Sequence, residues 1–283
     1  MSYKATIARV AGVLLASFFL SCTFCAFSLP AEAKTNSRPI TGPSSADLAG
    51  LLKQGDFAFH TMDYHKADSL YQHYLSHFPD HAAVHWKLSR LYVCMGEAIP
   101  PENPEARQPF FAKAVKHAET STNLDDFIAD GHTWYAASLG VLADNAGPRE
   151  KIKRANIIKS ELDRALELNP EDDIALSILG SFNREIADMG WLEKVFAKTF
   201  LGSLPEGNRE EAEKMLKRAI SVNPRIIRHY HELGKLYSDM KRYAEAVEVL
   251  NEALTKPVLM KSDERRLKNI RALIENLSKK IDD

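Results

Sequence analysis

The sequence predicts an all-α solenoid: about five helical hairpins, an inserted helix and a C-terminal capping helix. Three observations carry this expectation. Past residue 45, apolar residues recur at helical spacing in nearly every window, and almost no alternating strand pattern is present. Small residues and prolines recur at a fixed interval: Gly55, Ala67 and Pro79 are twelve apart, and Gly234 is followed twelve on by Ala246. Whole phrases also superpose, LDRALELNPED on LKRAISVNPRI, and YHKADSLYQHYLSHFPD on RYAEAVEVLNEAL.

The elements follow in chain order. Lys4 and Arg9 precede an apolar run over residues 10–20, which continues through Cys22, Phe24, Cys25, Ala26 and Phe27 and ends at Ala31-Glu32-Ala33. A basic start, an apolar middle and a small-x-small end read as a secretory signal peptide over residues 1–33. Two alternatives stay open. Phe19-Leu20-Ser21-Cys22 is a poor acylation box, and residues 7–29 are just long enough to cross a bilayer uncleaved. The expected localisation is therefore exported, periplasmic or cell-envelope, or else membrane-anchored by residues 7–29. Membrane association is expected only if this segment is retained or acylated. Residues 34–45 are polar and rich in Pro, Ser and Thr, which reads as a flexible linker.

Residues 46–283 form the repeat domain. Hairpins are expected at residues 46–79, at 81–124 with a Pro-rich insertion over 99–109, and at 125–170, 171–224 and 225–257. Gly55, Gly140, Gly180 and Gly234, with Ser89 at the equivalent step, are expected where paired helices cross closely. Ala67, Ala212 and Ala246 do the same on the second helices, and Leu88, Tyr92, Leu233 and Tyr237 fill the grooves. Asn-Pro at 169–170 and 223–224 stops a helix, since proline cannot continue it and restricts the residue before it. No single hairpin buries its apolar face, so neighbours must stack. The fourth hairpin is interrupted by about twenty residues, ADMGWLEKVFAKTFLGSLPEG. Its Trp191, Leu192, Val195, Phe196, Phe200 and Leu201 make an apolar stripe at helical spacing. This helix packs on the solenoid, covers its groove as a lid, or meets a partner or lipid. A charged last helix begins near Ser262 as its cap, with Asp263 and Glu264 in its first turn.

Composition narrows the function. A 283-residue chain with 45% hydrophobic and 27% charged residues can bury a sizeable core, and a net charge of −1 gives no basic stripe for nucleic acid. Of three cysteines, Cys22 and Cys25 lie in the targeting run; Cys94 alone cannot form an internal disulfide. His73, His77, His81 and His85 are spaced by four, but Pro79 divides them into two pairs, and a metal site is not expected. His231-Glu232-Leu233-Gly234-Lys235 begins like a zinc-protease helix and lacks its second His. Nucleophile elbows and phosphate-cradling glycine loops are missing. The pairs Asp125/Asp126 and Asp172/Asp173 sit at helix starts, where the helix dipole explains them. No catalytic residue and no cofactor are expected.

In a solenoid of this kind the first helix of each hairpin lines the concave wall. That places Trp86, Arg90, Trp134, Asp144, Asn145, Arg184, Arg228, His231 and Lys235 on it. Trp and Arg dominate binding hot spots, and cations among aromatics suit an acidic peptide, a C-terminal carboxylate or a lipid phosphate. Arg90, Asn145, Arg184 and Lys235 would hold polar ends, and Trp134 would supply apolar contact. The plainer reading puts Trp86 and Trp134 in the core and leaves the charges solvated.

The spacing is that of tetratricopeptide repeats. GHTWYAASLG, LDRALELNPEDDIALSILG and MGWLEKVFAKTFLGSLP further resemble the atypical tetratricopeptide domain of the regulator of microtubule dynamics family, from about Phe110 to Leu277 and more loosely back to Asp47. The most specific part is the Trp-Leu-Glu-Lys helix inserted directly before EEAEKMLKRAI. The resemblance implies a helical binding scaffold without an enzyme site. Animal members associate with microtubules, and a membrane-anchored member is linked to organelle contacts and phospholipid. The microtubule role is not carried across, because the Ala-Glu-Ala leader end points to a bacterial envelope, where tubulin is absent. The expected partner is a protein or peptide, with phospholipid as the alternative.

Overall fold

The computed structural model describes residues 45–143, 148–189 and 207–282. The leader, almost all of the linker, Asp144, Asn145 and the inserted stripe of Trp191, Leu192, Val195, Phe196, Phe200 and Leu201 lie outside the described residues. Among the described residues every regular element is a helix. They are α1 (Ser45–His60), α2 (Tyr64–His77), α3 (Ala82–Ala98), α4 (Pro104–Leu124), α5 (Ala129–Ala143) and α6 (Pro148–Leu168). After them come α7 (Asp173–Asp188), α8 (Arg209–Val222), α9 (Ile227–Asp239), α10 (Tyr243–Ala253) and α11 (Lys261–Asp282). The pairs α1/α2, α3/α4, α5/α6, α7/α8 and α9/α10 pack as five hairpins, and α11 packs on α10, so the solenoid read from the repeats is present.

Local chemistry sets the helix starts. Asp63, Asn103 and Asp172 each accept a hydrogen bond from a backbone N–H in the first turn of α2, α4 and α7, and Asn208 accepts two at the start of α8. The last helix begins differently from its sequence reading. Ser262 is buried and its Oγ has no hydrogen-bond partner among the described residues. The cap position is Met260, and the Asp263 carboxylate reaches back to the N–H groups of Leu259 and Met260 at 3.1 and 3.0 Å. That is the reciprocal half of a capping box, which an acidic residue three positions into a helix can make without a hydroxyl partner.

The close helix crossings fall where small residues were expected, with two exceptions. A Cβ on Gly55, Gly180 or Gly234 would come within 2.6 Å of Tyr71, 2.6 Å of Leu216 or 2.4 Å of Leu250, each the core residue of the paired helix. Around Gly140, by contrast, nothing among the described residues lies within 4 Å. In the second hairpin the crossing is at Gly96, where a Cβ would meet Phe111 at 2.3 Å, rather than at Ser89. Ser89 is buried beside the next hairpin and its hydroxyl points to the Trp134 carbonyl at 3.4 Å. The shift has a cause in α4: residues 104–109 of the Pro-rich stretch are its first turns rather than an insertion, with Pro104 at a position that needs no N–H donor and Pro109 inside the helix.

Three apolar clusters result. One joins α1–α3 with Ala114 and takes Trp134 and Met260 on its margin. A second joins α5, α6 and α7. A third joins α8, α9, α10 and α11 through Leu216, Leu236, Leu250, Ile270 and Leu277. Each fully buried leucine contributes about 2 kcal/mol relative to exposure.

The inner helices stack on one another. α3 packs on α5, α5 on α7, α7 on α9 and α9 on α11, as stacked first helices do. α11 then packs back on α3. The inner helices thus form a closed circuit, which the repeat spacing did not predict.

Candidate partner-binding wall

On α3, the guanidinium of Arg90 lies 3.9 Å from the Phe59 ring centroid and 5.1 Å from that of Trp86. A flat, weakly hydrated cation between aromatic faces is held by quadrupole attraction and stacking. Lys87 beside it bonds Asp56 at 2.6 Å, and Asp56 also accepts from the Tyr71 hydroxyl at 2.6 Å. Burial raises the Asp56 carboxyl, but the bonds from Lys87 and Tyr71 outweigh it and hold it below the ordinary carboxylate range. Trp134 on α5 is half-buried against the same cluster. Asp130, one turn earlier on α5, stands in solvent, yet surrounding protein and the nearby Asp172 push its carboxyl upward.

Across the circuit, α7 and α9 form a second constellation. Arg184 reaches Asp239 at 3.0 Å and Glu232 at 3.8 Å, and Lys235 bonds Glu232 at 2.8 Å. The Arg184 and Glu232 side chains are only 12% and 11% exposed, so these charges are held largely away from water. Burial raises the Glu232 carboxyl, but Lys235, Arg228 and His231 bring it down to about 2. Next to it, burial lowers His231 to about 4, helped by Lys235, Arg266 and Arg228 against the pull of Glu232. His231 is therefore a neutral imidazole in a positive field at ordinary pH.

Arg228 closes the set from α9. It faces Glu97 of α3 at 3.8 Å, and Arg266 of α11 faces the same carboxylate at 3.5 Å. Burial pushes Glu97 upward, yet Arg228, Arg266, Arg107 and Arg265 together hold it below the ordinary range.

Two atoms on this wall stand out. The Nε of Arg90 and the Nε of Arg184 are buried and have no hydrogen-bond partner among the described residues. A buried donor without an acceptor is uncommon, and both atoms are sealed from solvent, so they mark tight packing of the two guanidinium groups rather than open contact points.

Residues 51–278 match the family described as Regulator of microtubule dynamics protein 1-3. The chain belongs to that family. Its relatives include Regulator of microtubule dynamics protein 1 of Bos taurus, 25% identical over 83% of this chain and 73% of that protein. Regulator of microtubule dynamics protein 2 of Homo sapiens is also 25% identical, over 71% of this chain; the match spans about half of the human protein's length, 49%. Among solved structures, a thermophilic TPR protein of Thermus thermophilus superposes with a TM-score of 0.55 at 18% identity, covering 81% of this chain and 98% of the other. That likeness concerns the fold.

Within this member of the regulator of microtubule dynamics family, the wall brings together Arg184, Arg228, His231 and Lys235 in one constellation, and Trp86, Arg90 and Trp134 in another. Asp144 and Asn145 lie outside the described residues. Three acids that organise the wall are not singled out by the sequence reading: Glu97, Glu232 and Asp239. Glu232 carries a signal, since it lies one turn before Lys235 on the predicted wall; Glu97 pairs with Arg266 across 169 positions, and no repeat spacing encodes that. The four spaced histidines do not converge. His85 donates to the Pro79 carbonyl and shares an Nδ1···Nδ1 bond of 2.9 Å with His117 instead, while His81 packs edge-on against Tyr74. Among the described residues, no group of three or more His, Cys, Asp or Glu could hold a metal ion, and no helix is long and apolar enough to cross a membrane.

Proposed function

We propose that this chain is a non-enzymatic binding scaffold of the bacterial cell envelope, engaging a protein or peptide partner on the concave wall of its solenoid. The observation that carries this reading is the set of cations and half-buried aromatics on the inner helices, Arg90 with Trp86 and Trp134 in one constellation and Arg184 with Lys235 in the other. Their geometry suits main-chain carbonyls or carboxylates of an acidic segment. Arg184 and Lys235 already neutralise Glu232 and Asp239, so the partner-facing chemistry is the remaining donor capacity of these cations rather than their full charge. The leader-like residues 1–33 favour export, which a mature chain beginning at Lys34 in an intact-mass measurement would support.

The test is capture of an envelope partner by the purified chain, followed by its affinity for variants. Arg90→Gln and Arg184→Gln should each weaken binding by on the order of tenfold, and Trp134→Ala by at least as much, with helix content unchanged. Unaltered affinity in all three would remove the concave wall from the reading.

A second reading rests on the apolar stripe of Trp191, Leu192, Val195, Phe196 and Phe200: a phospholipid-binding scaffold that uses the inserted helix. Under it, vesicles of anionic phospholipid bind the wild type and lose binding on Trp191→Ser with Phe196→Ser, while the wall variants bind normally. Vesicles that the wild type ignores would eliminate it.

A further inference from the structure

The contact between α11 and α3 joins helices far apart in the chain and concentrates several charged groups. The Arg265 guanidinium donates to the carbonyls of Glu97 and Ile99 at the C-terminal end of α3. Those carbonyls lack helical partners and carry the negative end of the helix dipole, so a guanidinium is the expected cap. Arg266 is held at 2.6 Å by Asp263 and at 3.5 Å by Glu97, which Arg228 approaches from α9. The Lys261 N–H points to the Tyr64 hydroxyl at 3.3 Å. At the same joint Met260 lies over Cys94, with the two sulfurs 4.0 Å apart, and packs on the margin of the first core cluster. Every other step of the inner circuit belongs to consecutive hairpins, and the third core cluster holds α11 against α9 and α10 through Ile270 and Leu277. The α3–α11 joint thus closes the circuit between units that are not consecutive in sequence, and its interhelical charge pairs centre on Glu97.

We propose that the first turn of α11 is an electrostatic latch on α3, centred on Glu97, which holds the inner circuit closed and releases to let a polypeptide partner reach the concave wall. The proposal rests on the partner-binding reading above for its purpose, but its existence is testable without any partner. A joint between one helix turn and one helix end, held by a few charge pairs, opens locally at a free-energy cost below that of global unfolding. Salt weakens it in part: the Debye length falls from about 10 Å at 0.1 M to about 3 Å at 1 M, but screening acts less on pairs as little exposed as Arg266 and Glu97 than on surface pairs. When α11 lifts, Met260 leaves and Cys94 loses its cover. Cys94 is a useful reporter: it is buried, and burial, with Glu97 adding to it, pushes its thiol up to about 12, so the closed form is inert to thiol reagents.

The experiment uses the full chain carrying Cys22→Ser and Cys25→Ser, so that Cys94 is the sole thiol, with labelling by a small maleimide followed by mass spectrometry. Labelling in that background should accelerate as sodium chloride rises from about 0.1 to 1 M. Glu97→Gln should accelerate it by on the order of tenfold at low salt and blunt the salt response; Arg266→Gln, which leaves Arg228 on Glu97, should give a smaller rise. Hydrogen exchange must rise with it only in the first turn of α11 and the last turns of α3. Labelling that ignores salt and both substitutions overturns the latch. So does labelling that rises only together with exchange throughout the chain, since Cys94 is then reached by global unfolding. If the joint opens as expected and Glu97→Gln nonetheless captures the partner no faster than the wild type, the gating role is overturned, while the Arg90, Arg184 and Trp134 variants decide the partner-binding reading separately.

Discussion

Glu232 shows how much one side chain can hold on this wall. It sits between Lys235 and Arg184, with Arg228 adding to the field, and neutralising it would leave largely buried cations facing one another. Glu232→Gln should therefore cost about 3 kcal/mol in denaturant unfolding, several times the loss from a rim ion pair such as Lys279–Glu275. His231 should report the same change, because the pull of this carboxylate is already part of its value of about 4; without it, the imidazole signals in NMR should remain those of a neutral ring at still lower pH. The glycines give a contrast at the same scale. Gly234→Ala drives a methyl into Leu250 and should destabilise by about 1–3 kcal/mol. Gly140→Ala meets nothing among the described residues, and should be neutral or stabilising by about 0.5–1 kcal/mol through helix propensity. In sequence the two glycines look alike, because a small residue marks a crossing only when its partner helix arrives at that height. The twelve-residue interval to Ala246 identifies Gly234; Gly140 has no such companion.

Between helices, the join of α5 to α6 depends on His132, which no repeat signature picks out. Its ring is buried, with Nδ1 2.7 Å from the Glu161 carboxylate and Nε2 2.9 Å from the Asp126 carbonyl. Burial by itself lowers the pKa of this imidazole, but the bonds to Glu161 and Asp126 outweigh burial and raise it above the ordinary 6.5. A raised value means that the folded state binds the proton more tightly than the unfolded chain does. The resulting stabilisation is complete below about 6.5 and is lost as pH rises through the raised value. Thermal melting of the wild type should accordingly fall between about pH 6 and pH 8 by on the order of 2 °C more than that of His132→Gln. Equal pH slopes in the two proteins would remove His132 as the cause. Helix boundaries, in comparison, are legible in part: Asp172 caps α7 as expected, whereas Asp125, expected at a helix start, is the C-cap of α4, its N–H bonded to the Ser121 carbonyl; Asp63 and Asn208 cap α2 and α8 without being singled out by the spacing. The start of α11 departs from the expected Ser262 cap because a hydroxyl and a back-reaching carboxylate are both good cap signals, and only the packing of Met260 against α3 selects between them.

For the whole repeat domain, the inner circuit changes what a solenoid should do when it unfolds. An open array is coupled only between neighbours, so its ends can melt separately. Here Met260 packs against the first core cluster, and Glu97 ties α3 to α9 and α11, so units far apart in sequence support each other. The hairpins themselves are readable in the chain because each is local, with partners within a few tens of residues. The closing contact is not, because Arg265, Arg266 and Glu97 have the composition of ordinary solvated helix faces until the curvature of the array brings them together. The circuit implies a single cooperative transition by calorimetry in low salt, with the calorimetric and van't Hoff enthalpies in agreement. Removing the closing charges with Glu97→Gln and Arg266→Gln together should leave every hairpin intact and divide that transition, the α1–α4 half separating from the α7–α11 half. Tyr71 and Tyr237, buried in the first and third clusters, supply the probes for the two halves. If each is replaced by a fluorinated tyrosine, their midpoints should coincide in the wild type and diverge in the double variant. Coincident midpoints in both would mean that stacking between consecutive hairpins alone makes the array cooperative, and that the α3–α11 contact adds no thermodynamic coupling.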